Sequence, residues 1–214
     1  SVNIGLKKNY VVDRTLFDLS LAEMAKSAGV KYHKNFRFLS SKQNKEKKYS
    51  LKFQNGKKID TSILVGADGP NSSVAKSAGI IGERKFIAGQ QARVRMKSKI
   101  DSNIVEFFLD EGNYIGWLVP ESNRIARIGV ASNKNLAYRF NNLMKSRPGK
   151  ILCWQSGSIP LFNSKIKVEK GKTFLVGDAA SQVKATTYGG IIPGMNAAKA
   201  LNDCLIKDYS SGDY

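Results

Sequence analysis

The sequence predicts a mixed α/β fold in which a helix-flanked parallel sheet is interrupted by an antiparallel sheet. The first sign is a pair of continuous apolar runs, at residues 63–65 and 174–176, each followed by glycine and aspartate. Such runs are typical of strands buried on both faces of a parallel sheet. A glycine and a carboxylate at the carboxyl end of such a strand lie where open α/β sheets bind ligands.

The segment between these two runs has a different pattern. Four consecutive stretches are predicted to be strands: residues 91–96, 104–109, 114–119 and 125–131. In the first of them, small or apolar residues alternate with arginine. Consecutive alternating strands with short turns predict an antiparallel sheet with one covered face. The predicted domains are therefore a ligand-binding domain in two parts, residues 1–84 and 168–214, interrupted by an antiparallel substrate domain, residues 85–167.

Local signals predict the elements before the first apolar run. Residues 13–29 are predicted to form a helix, with a capping box at residues 15–18 and Gly29 ending it in the left-handed conformation. Short strands are expected at residues 30–33 and 36–39. A hairpin is expected at residues 49–59, because Asn55-Gly56 lies between two strand-like runs.

Later in the chain, two helices are predicted, at residues 135–145 and 196–205. Pro193 fits the first turn of the second helix, so backbone amides near Gly190 and Ile191 would form its positive end. Such an end can stabilise negative charge on a ligand. An ordinary turn with a helix cap is the alternative interpretation.

Composition limits the function only loosely. The chain has 214 residues, 42% of them hydrophobic, and a net charge of +18. This charge favours either an anionic partner or a merely solvated, lysine-rich surface. Cys153 is expected to be a buried thiol, His33 is expected to be structural, and no metal site is predicted. A nucleic-acid-binding module is disfavoured, because no recognisable motif or basic stripe with interleaved aromatics is present.

Two aspartates and one arginine are the candidate ligand-binding groups. Asp178 follows Gly177, and an acceptor-only carboxylate at this position suits sugar or ribityl hydroxyls. Asp68 and Gly69 fit either a ligand site or a tight turn with a helix cap. Arg14 fits either a ligand contact or a solvated cation. Only their combination, in this order and spacing, makes a specific signal.

That combination resembles a known family of flavoenzymes. The matching segments are residues 14–18 (RTLFD), 64–70 (LVGADGP) and 174–180 (FLVGDAA), the last continuing to 189–191 (GGI). They are similar to FAD-dependent oxidoreductases built like para-hydroxybenzoate hydroxylase, with a Rossmann-like FAD-binding sheet, and most closely to the geranylgeranyl reductase family. Residues 114–120 (YIGWLVP) resemble that family's prenyl-binding motif. The resemblance extends over residues 11–205.

The resemblance implies roles for individual residues. FAD contacts are expected from Arg14, Phe38, Asp68, Gly69, Asp178, Gly189, Gly190 and Ile191. Tyr114, Trp117 and Pro120 would line the prenyl site, although core or sheet-face aromatics remain the alternative for Tyr114 and Trp117. No residue is assigned a catalytic role.

By the same resemblance, the expected activity is FAD-dependent saturation of C=C bonds in geranylgeranyl chains during lipid biosynthesis. The partners would be a prenylated lipid or prenyl diphosphate and a reduced donor, NAD(P)H or ferredoxin-like. The protein would be cytoplasmic, with possible contact to anionic lipid on the inner membrane face. An FAD-dependent aromatic-type monooxygenase of the same fold is the alternative.

Two departures from the family pattern stand out. Glu121 follows Pro120, where the family motif usually has a basic residue. No GxGxxG loop is present, although such a loop would normally bind the pyrophosphate at a helix N-terminus. We therefore expect the chain to be a fragment that lacks the amino-terminal phosphate-binding segment and the carboxyl-terminal region, and to be inactive by itself.

Overall fold

The computed structural model describes residues 10–44, 48–110 and 114–207. Two compact units are present, Ser1–Phe36 and Arg37–Tyr214. In chain order, the described elements are α1 (Arg14–Ser27), β1 (Phe38–Gln43), β2 (Tyr49–Phe53), β3 (Lys58–Thr61), β4 (Leu64–Gly66), α2 (Ser73–Ala78), β5 (Phe86–Met96), β6 (Glu106–Asp110), β7 (Tyr114–Pro120), β8 (Ile125–Ser132), α3 (Leu136–Ser146), β9 (Gly149–Pro160), β10 (Glu169–Lys170), β11 (Thr173–Leu175), a 3₁₀ turn (Gly177–Ala180) and α4 (Ile191–Ile206).

The residue that caps the start of helix α1 is not the one that the sequence predicted. Asp13 is the N-cap, and its side chain accepts from the backbone N–H groups of Thr15 and Leu16. Asp18, which the predicted capping box required at the helix start, instead pairs with Arg14 one turn away at 3.0 Å. The capping-box prediction was therefore wrong, although the predicted helix is present.

The end of α1 explains why one predicted strand is absent. Gly29 has a φ of 90°, as predicted. Val30 N–H donates to Ala25 C=O and Gly29 N–H donates to Lys26 C=O, which together make a Schellman motif. Because the cap uses the Val30 amide, that amide cannot begin a strand ladder. The strand predicted at residues 30–33 is wrong, and that stretch has no regular structure.

Strands β1, β2 and β3 form an antiparallel sheet in that order. The β2–β3 hairpin turns at Asn55-Gly56, where Gly56 has a φ of 80° and donates to Phe53 C=O at 3.0 Å. The predicted hairpin is confirmed. Strand β1 begins at Phe38, so the strand predicted at residues 36–39 starts later than expected.

The two apolar runs form neighbouring parallel strands. Thr173 of β11 is opposite Leu64 of β4, and Leu175 is opposite Gly66. Strand β10 pairs antiparallel with the other edge of β11. The expected burial on both faces holds for β11 but not for β4, because Val65 is 42% exposed. Helix α2 covers only the opposite face of β4, where Leu64 packs with Val74 and Leu175.

The intervening segment forms the predicted antiparallel sheet, with strand order β6-β7-β8-β5-β9. Helix α3 packs on one face through Phe140 and Leu143, against alternate residues of β5, β7 and β8. We call the other side of this sheet the open face. It carries the residues of β5 that alternate with the buried ones, including Gln91 and Arg93.

Strand β9 was not predicted. It pairs along the whole length of β5, with an irregularity between Arg93 and Val94. Its sequence is rich in serine and glycine and lacks a clear alternation, so the strand signal is weak. The prediction of a buried Cys153 was also wrong, since this thiol lies exposed on β9. None of the helices in the described ranges is both long and apolar enough to cross a membrane.

Gly66 offers a direct test of the β4–β11 junction. A Cβ atom at residue 66 would lie 2.8 Å from Leu175 Cδ2 and 2.8 Å from Val74 Cβ. Gly66→Ala should therefore overpack the junction and lower the free energy of unfolding by about 1–3 kcal/mol, measured by chemical denaturation.

The matched control is Gly157→Ala in β9, where an added Cβ meets no atom within 4 Å. This substitution should change the free energy of unfolding by less than about 0.5 kcal/mol. Equal effects at the two glycines would contradict the packing described for Gly66.

Candidate functional site

The parallel pairing of β4 and β11 places the two glycine–aspartate motifs at one edge of the sheet. The register aligns Gly66 with Leu175, and Val176 N–H donates to Gly66 C=O at 3.0 Å. The loops that carry Asp68 and Asp178 therefore leave the sheet side by side. This is the edge at which open α/β sheets bind ligands.

Asp68 caps helix α2. Its Oδ1 accepts from Ser72 Oγ at 2.6 Å, and its Oδ2 accepts from the backbone N–H groups of Ser73 and Val74 at 2.7 and 3.1 Å. Ser72 Oγ accepts in turn from Ala75 N–H at 2.9 Å. The turn-and-cap alternative thus describes this carboxylate, and cofactor contacts from Asp68 and Gly69 remain a prediction.

Arg84 lies close to Asp68 and was missed by the sequence analysis. Its Nε donates to Ile81 C=O at 2.7 Å, and its Nη1 donates to Pro70 C=O at 3.4 Å. Its Nη2 is buried and has no hydrogen-bond partner among the described residues. Burial lowers the pKa of Arg84, and the nearby Asp68 carboxylate partly offsets that effect. A single arginine after a glycine turn carries no motif signal.

Asp178 lies in the 3₁₀ turn that follows β11. Gly177 has a φ of 64° and its N–H donates to Gln182 Oε1 at 2.7 Å, which holds the turn closed. Ser181 ends the turn in the left-handed conformation. Its Oγ is buried and unpartnered within the part of the chain that the structure describes. A buried hydroxyl without a partner is costly, so it is a candidate for contact with a bound group.

The start of helix α4 packs directly on this turn. A Cβ added to Gly190 would lie 2.6 Å from Asp178 Oδ1, and one added to Gly194 would lie 3.3 Å from Gly177 Cα. Glycine at both positions therefore allows this close approach. No side chain caps the helix at Gly190. The first amides of α4, from Ile191 onward, have no partner inside the helix, and the Asp178 carboxylate lies beside this positive end.

One end of the open face adjoins the loop before α4. Tyr188, immediately before Gly189 and Gly190, has a φ of 57°. Its side chain packs on a cluster on the open face, formed by Ile87, Ile115 and Ala131. The loop carrying the predicted cofactor glycines is thereby joined to the sheet through an apolar contact.

Polar side chains continue from this apolar end along the open face. Trp117 Nε1 donates to Gln91 Oε1 at 3.1 Å, and Gln91 Nε2 donates to Gln155 Oε1 at 2.5 Å. The Trp117 ring lies across Gly129, where an added Cβ would collide with it. Arg127 Nη1 donates to the same Gln155 oxygen at 2.9 Å. Neighbouring strands thus share one connected row of hydrogen bonds.

The row ends in a charged group. Glu121 Oε2 accepts from Arg93 Nε at 2.6 Å, and Glu121 Oε1 accepts from Arg127 Nε at 2.8 Å. The hydrogen bond that Arg93 donates to Glu121 and the negative charge of Glu121 raise the pKa of Arg93. This cluster was also missed, since its members come from separate strands.

The predicted substrate residues do not share one face of the sheet. Tyr114 and Trp117 are three positions apart in β7, and alternate residues of a strand point to opposite faces. Tyr114 lies on the α3 side, where the Arg139 guanidinium is 4.8 Å from its ring centroid. Pro120 is buried and is paired with Ala126. Trp117 alone of these three is on the open face.

The remaining predicted cofactor residues lie in different units. Arg14 is in the first unit, where it pairs with Asp18. Phe38 is in the second unit, with its ring edge-on to Phe53 at a centroid distance of 6.3 Å. Asp178, Gly189, Gly190 and Ile191 are also in the second unit, and the structure brings these four together at the start of α4.

Comparison with solved structures supports the fold. A geranylgeranyl bacteriochlorophyll reductase-like protein from Thermoplasma acidophilum superposes with a TM-score of 0.79 at 22% identity, covering 100% of this chain and 60% of that chain. A probable FAD-dependent monooxygenase from Pseudomonas aeruginosa superposes with a TM-score of 0.67 at 18% identity, covering 89% and 58%. Both confirm the predicted mixed α/β architecture.

Comparison with curated sequences gives more similar relatives. The digeranylgeranylglycerophospholipid reductase of Methanosarcina acetivorans is 29% identical, over 98% of this chain and 56% of the relative. The enzyme of the same name from Methanosarcina mazei is 27% identical over the same shares. The chain thus spans little more than half the length of these relatives. Their names agree with the resemblance that the motifs indicated.

A match to a family model shows which protein family the chain belongs to. The model described as an FAD binding domain matches residues 3–137, more than half of the 214-residue chain. This match contains both Arg14 and the Asp68 turn, which were predicted from their motifs. The chain belongs to the FAD binding domain family.

Proposed function

We propose that the protein containing this chain is an FAD-dependent reductase that saturates C=C bonds of geranylgeranyl chains in lipid biosynthesis. The observation that carries the proposal is the contact of Tyr188 with the apolar end of the open face. This contact joins an extended, partly apolar surface to the loop of Gly189 and Gly190. The names of the curated relatives supply the class of substrate.

The residues around Asp178 fit an FAD molecule. The glycines at 190 and 194 let the start of α4 lie directly against Asp178 and Gly177, and Ser181 Oγ is a buried polar atom without a partner among the described residues. We propose that Asp178 holds the ribityl or pyrophosphate region. The amides of Gly190 and Ile191 would face the pyrimidine edge of the ring, where a helix N-terminus stabilises negative charge.

When bound and reduced, FAD supplies the hydride for the double bond. The chain's own contribution is to orient the substrate and to exclude water. Tyr188, which packs on the buried cluster, and the exposed Phe107 and Leu109 of the same face are suited to an apolar prenyl segment. Trp117, whose indole N–H is already engaged by Gln91, presents an aromatic face to that segment. No described residue is assigned as the proton donor.

The electron donor and a membrane contact belong to the same proposal. A reduced donor of the NAD(P)H or ferredoxin-like class would be required to reduce the flavin again after each reaction. The net charge of +18 favours peripheral docking on anionic lipid headgroups.

The docking proposal predicts that sedimentation with vesicles increases with their anionic lipid content and falls at high salt. Neutral vesicles of the same size are the control. Binding that is insensitive to anionic lipid would contradict a charge-driven membrane contact.

Loss of the Asp178 carboxylate should weaken FAD binding. In the purified full-length protein, Asp178→Ala should raise the FAD dissociation constant by about 10- to 100-fold, as expected for lost charge-assisted hydrogen bonds. Gly190→Ala should also weaken binding, because its Cβ would be forced against Asp178 Oδ1. Titration followed by flavin absorbance and fluorescence gives the dissociation constants.

Asp203→Ala is the matched control, since Asp203 lies exposed on α4. It should leave FAD affinity unchanged, and melting curves of all three variants separate loss of binding from loss of folding. Full flavin occupancy in a folded Asp178→Ala protein would refute the assignment of this site.

Reaction products separate the reductase from the monooxygenase alternative. Under anaerobic conditions with chemically reduced flavin, a geranylgeranyl lipid should gain hydrogen at its double bonds, detected by mass spectrometry. The control is the same incubation without reductant. Oxygen-dependent NAD(P)H consumption with a hydroxylated product, and no anaerobic saturation, would support the monooxygenase instead.

A further inference from the structure

We propose that the open face binds a long-chain amphiphile whose phosphate headgroup is held by Arg93 and Arg127. The inference rests on the proposed function, because it assigns the chain of the amphiphile to the end of the face beside the Gly189–Gly190 loop. It goes further by naming the two side chains that would select an anionic headgroup over a neutral one.

The Arg93 end of the open face has more positive than negative charges. Two guanidinium groups share the single carboxylate of Glu121, through Nε in each case. Both oxygens of Glu121 are thereby occupied. Among the described residues, the two terminal nitrogens of Arg93 and Nη2 of Arg127 have no hydrogen-bond partner. The cluster keeps a net positive charge and three donor nitrogens of the type that binds phosphate oxygens well.

Along the open face, the side chains change from apolar at one end to charged at the other, as the parts of an amphiphile do. Ile87 lies at the apolar end, Gln91 in the hydrogen-bonded middle and Arg93 at the charged end of the same strand. Six residues of antiparallel strand separate Ile87 from Arg93, a span of about 20 Å at the usual rise. A polyprenyl or alkyl chain of that reach could place its tail beside Tyr188 and its headgroup at the arginines.

The surface between the two ends has room for a chain. A Cβ added to Gly157, on β9, meets nothing within 4 Å. Phe107 and Leu109 of β6 are 61% and 74% exposed, and their register with Trp117 and Ile115 puts them on the same face. Large exposed apolar side chains on β6, at the edge of the sheet opposite β9, are typical of a ligand surface.

A phosphate amphiphile and two partial ligands test the inference. Isothermal titration of the full-length, FAD-loaded protein is made with octyl phosphate below its micelle concentration, with 1-octanol and with inorganic phosphate. Octyl phosphate should bind at least about tenfold more tightly than either partial ligand, because only it combines a phosphate for the arginines with an apolar chain that packs along the face. Inorganic phosphate binding as tightly as octyl phosphate would identify a free-anion site and overturn the proposal.

Two variants separate the ends of the face. Arg93→Met with Arg127→Met should weaken octyl phosphate binding at least about tenfold and leave octanol within about twofold, since the charge-assisted bonds alone are lost. Gly157→Val should weaken both amphiphiles by filling the surface. Arg124→Met, which removes an exposed charge from the β7–β8 turn, is the control for general electrostatic attraction and should leave both unchanged.

The outcome is independent of the proposed reaction. Circular dichroism and FAD absorbance on each variant show that fold and cofactor are retained. A double-arginine variant that keeps its preference for octyl phosphate overturns the headgroup assignment even if alkenes are reduced. A lost preference supports it even if no alkene is reduced, in which case the proposed function alone fails.

Discussion

The parallel pairing of β4 with β11 is the contact on which the rest of the site depends. It brings together two loops that are separated in the chain by the whole antiparallel sheet. The pairing is possible because residue 66 is glycine, since Leu175 and Val74 occupy the space that a side chain would need. From this junction, one loop leads to Asp68 and the cap of α2. The other leads to Asp178 and the glycine-lined start of α4, so the candidate flavin contacts follow from a backbone register.

Features that depend only on residues close together in the chain were predictable from the sequence. Asn55-Gly56 dictates a hairpin whatever surrounds it, and the strand alternation around Arg93 identifies the face covered by α3. Prediction was less accurate where one backbone amide had two possible uses. Val30 is apolar and β-branched, yet its N–H completes the cap of α1. Strand β9 is formed because β5 offers it a full-length edge, and its own serine- and glycine-rich sequence hardly signals this.

The same distinction applies to the candidate site. The glycine–aspartate motifs were recognisable, but a motif does not give the hydrogen-bond partners of its carboxylate. Asp68 is occupied by the amides and hydroxyl at the start of α2. The aromatic motif of β7 looked like one surface, and the two-residue period of a strand divides it between two. The row from Trp117 to Arg93 crosses several strands, so it exists only once their registers are known.

Glu121 shows why a departure from a family motif must be judged together with its neighbours. A basic residue after Pro120 would stand against Arg93 and Arg127 here, and three adjacent cations would repel one another. The carboxylate instead bridges the two guanidinium groups through their Nε atoms, so it holds both on one carboxylate. One negative charge between two positive ones leaves the end of the face positive. The substitution therefore preserves the sign of the local charge while it fixes the geometry of the groups that carry it.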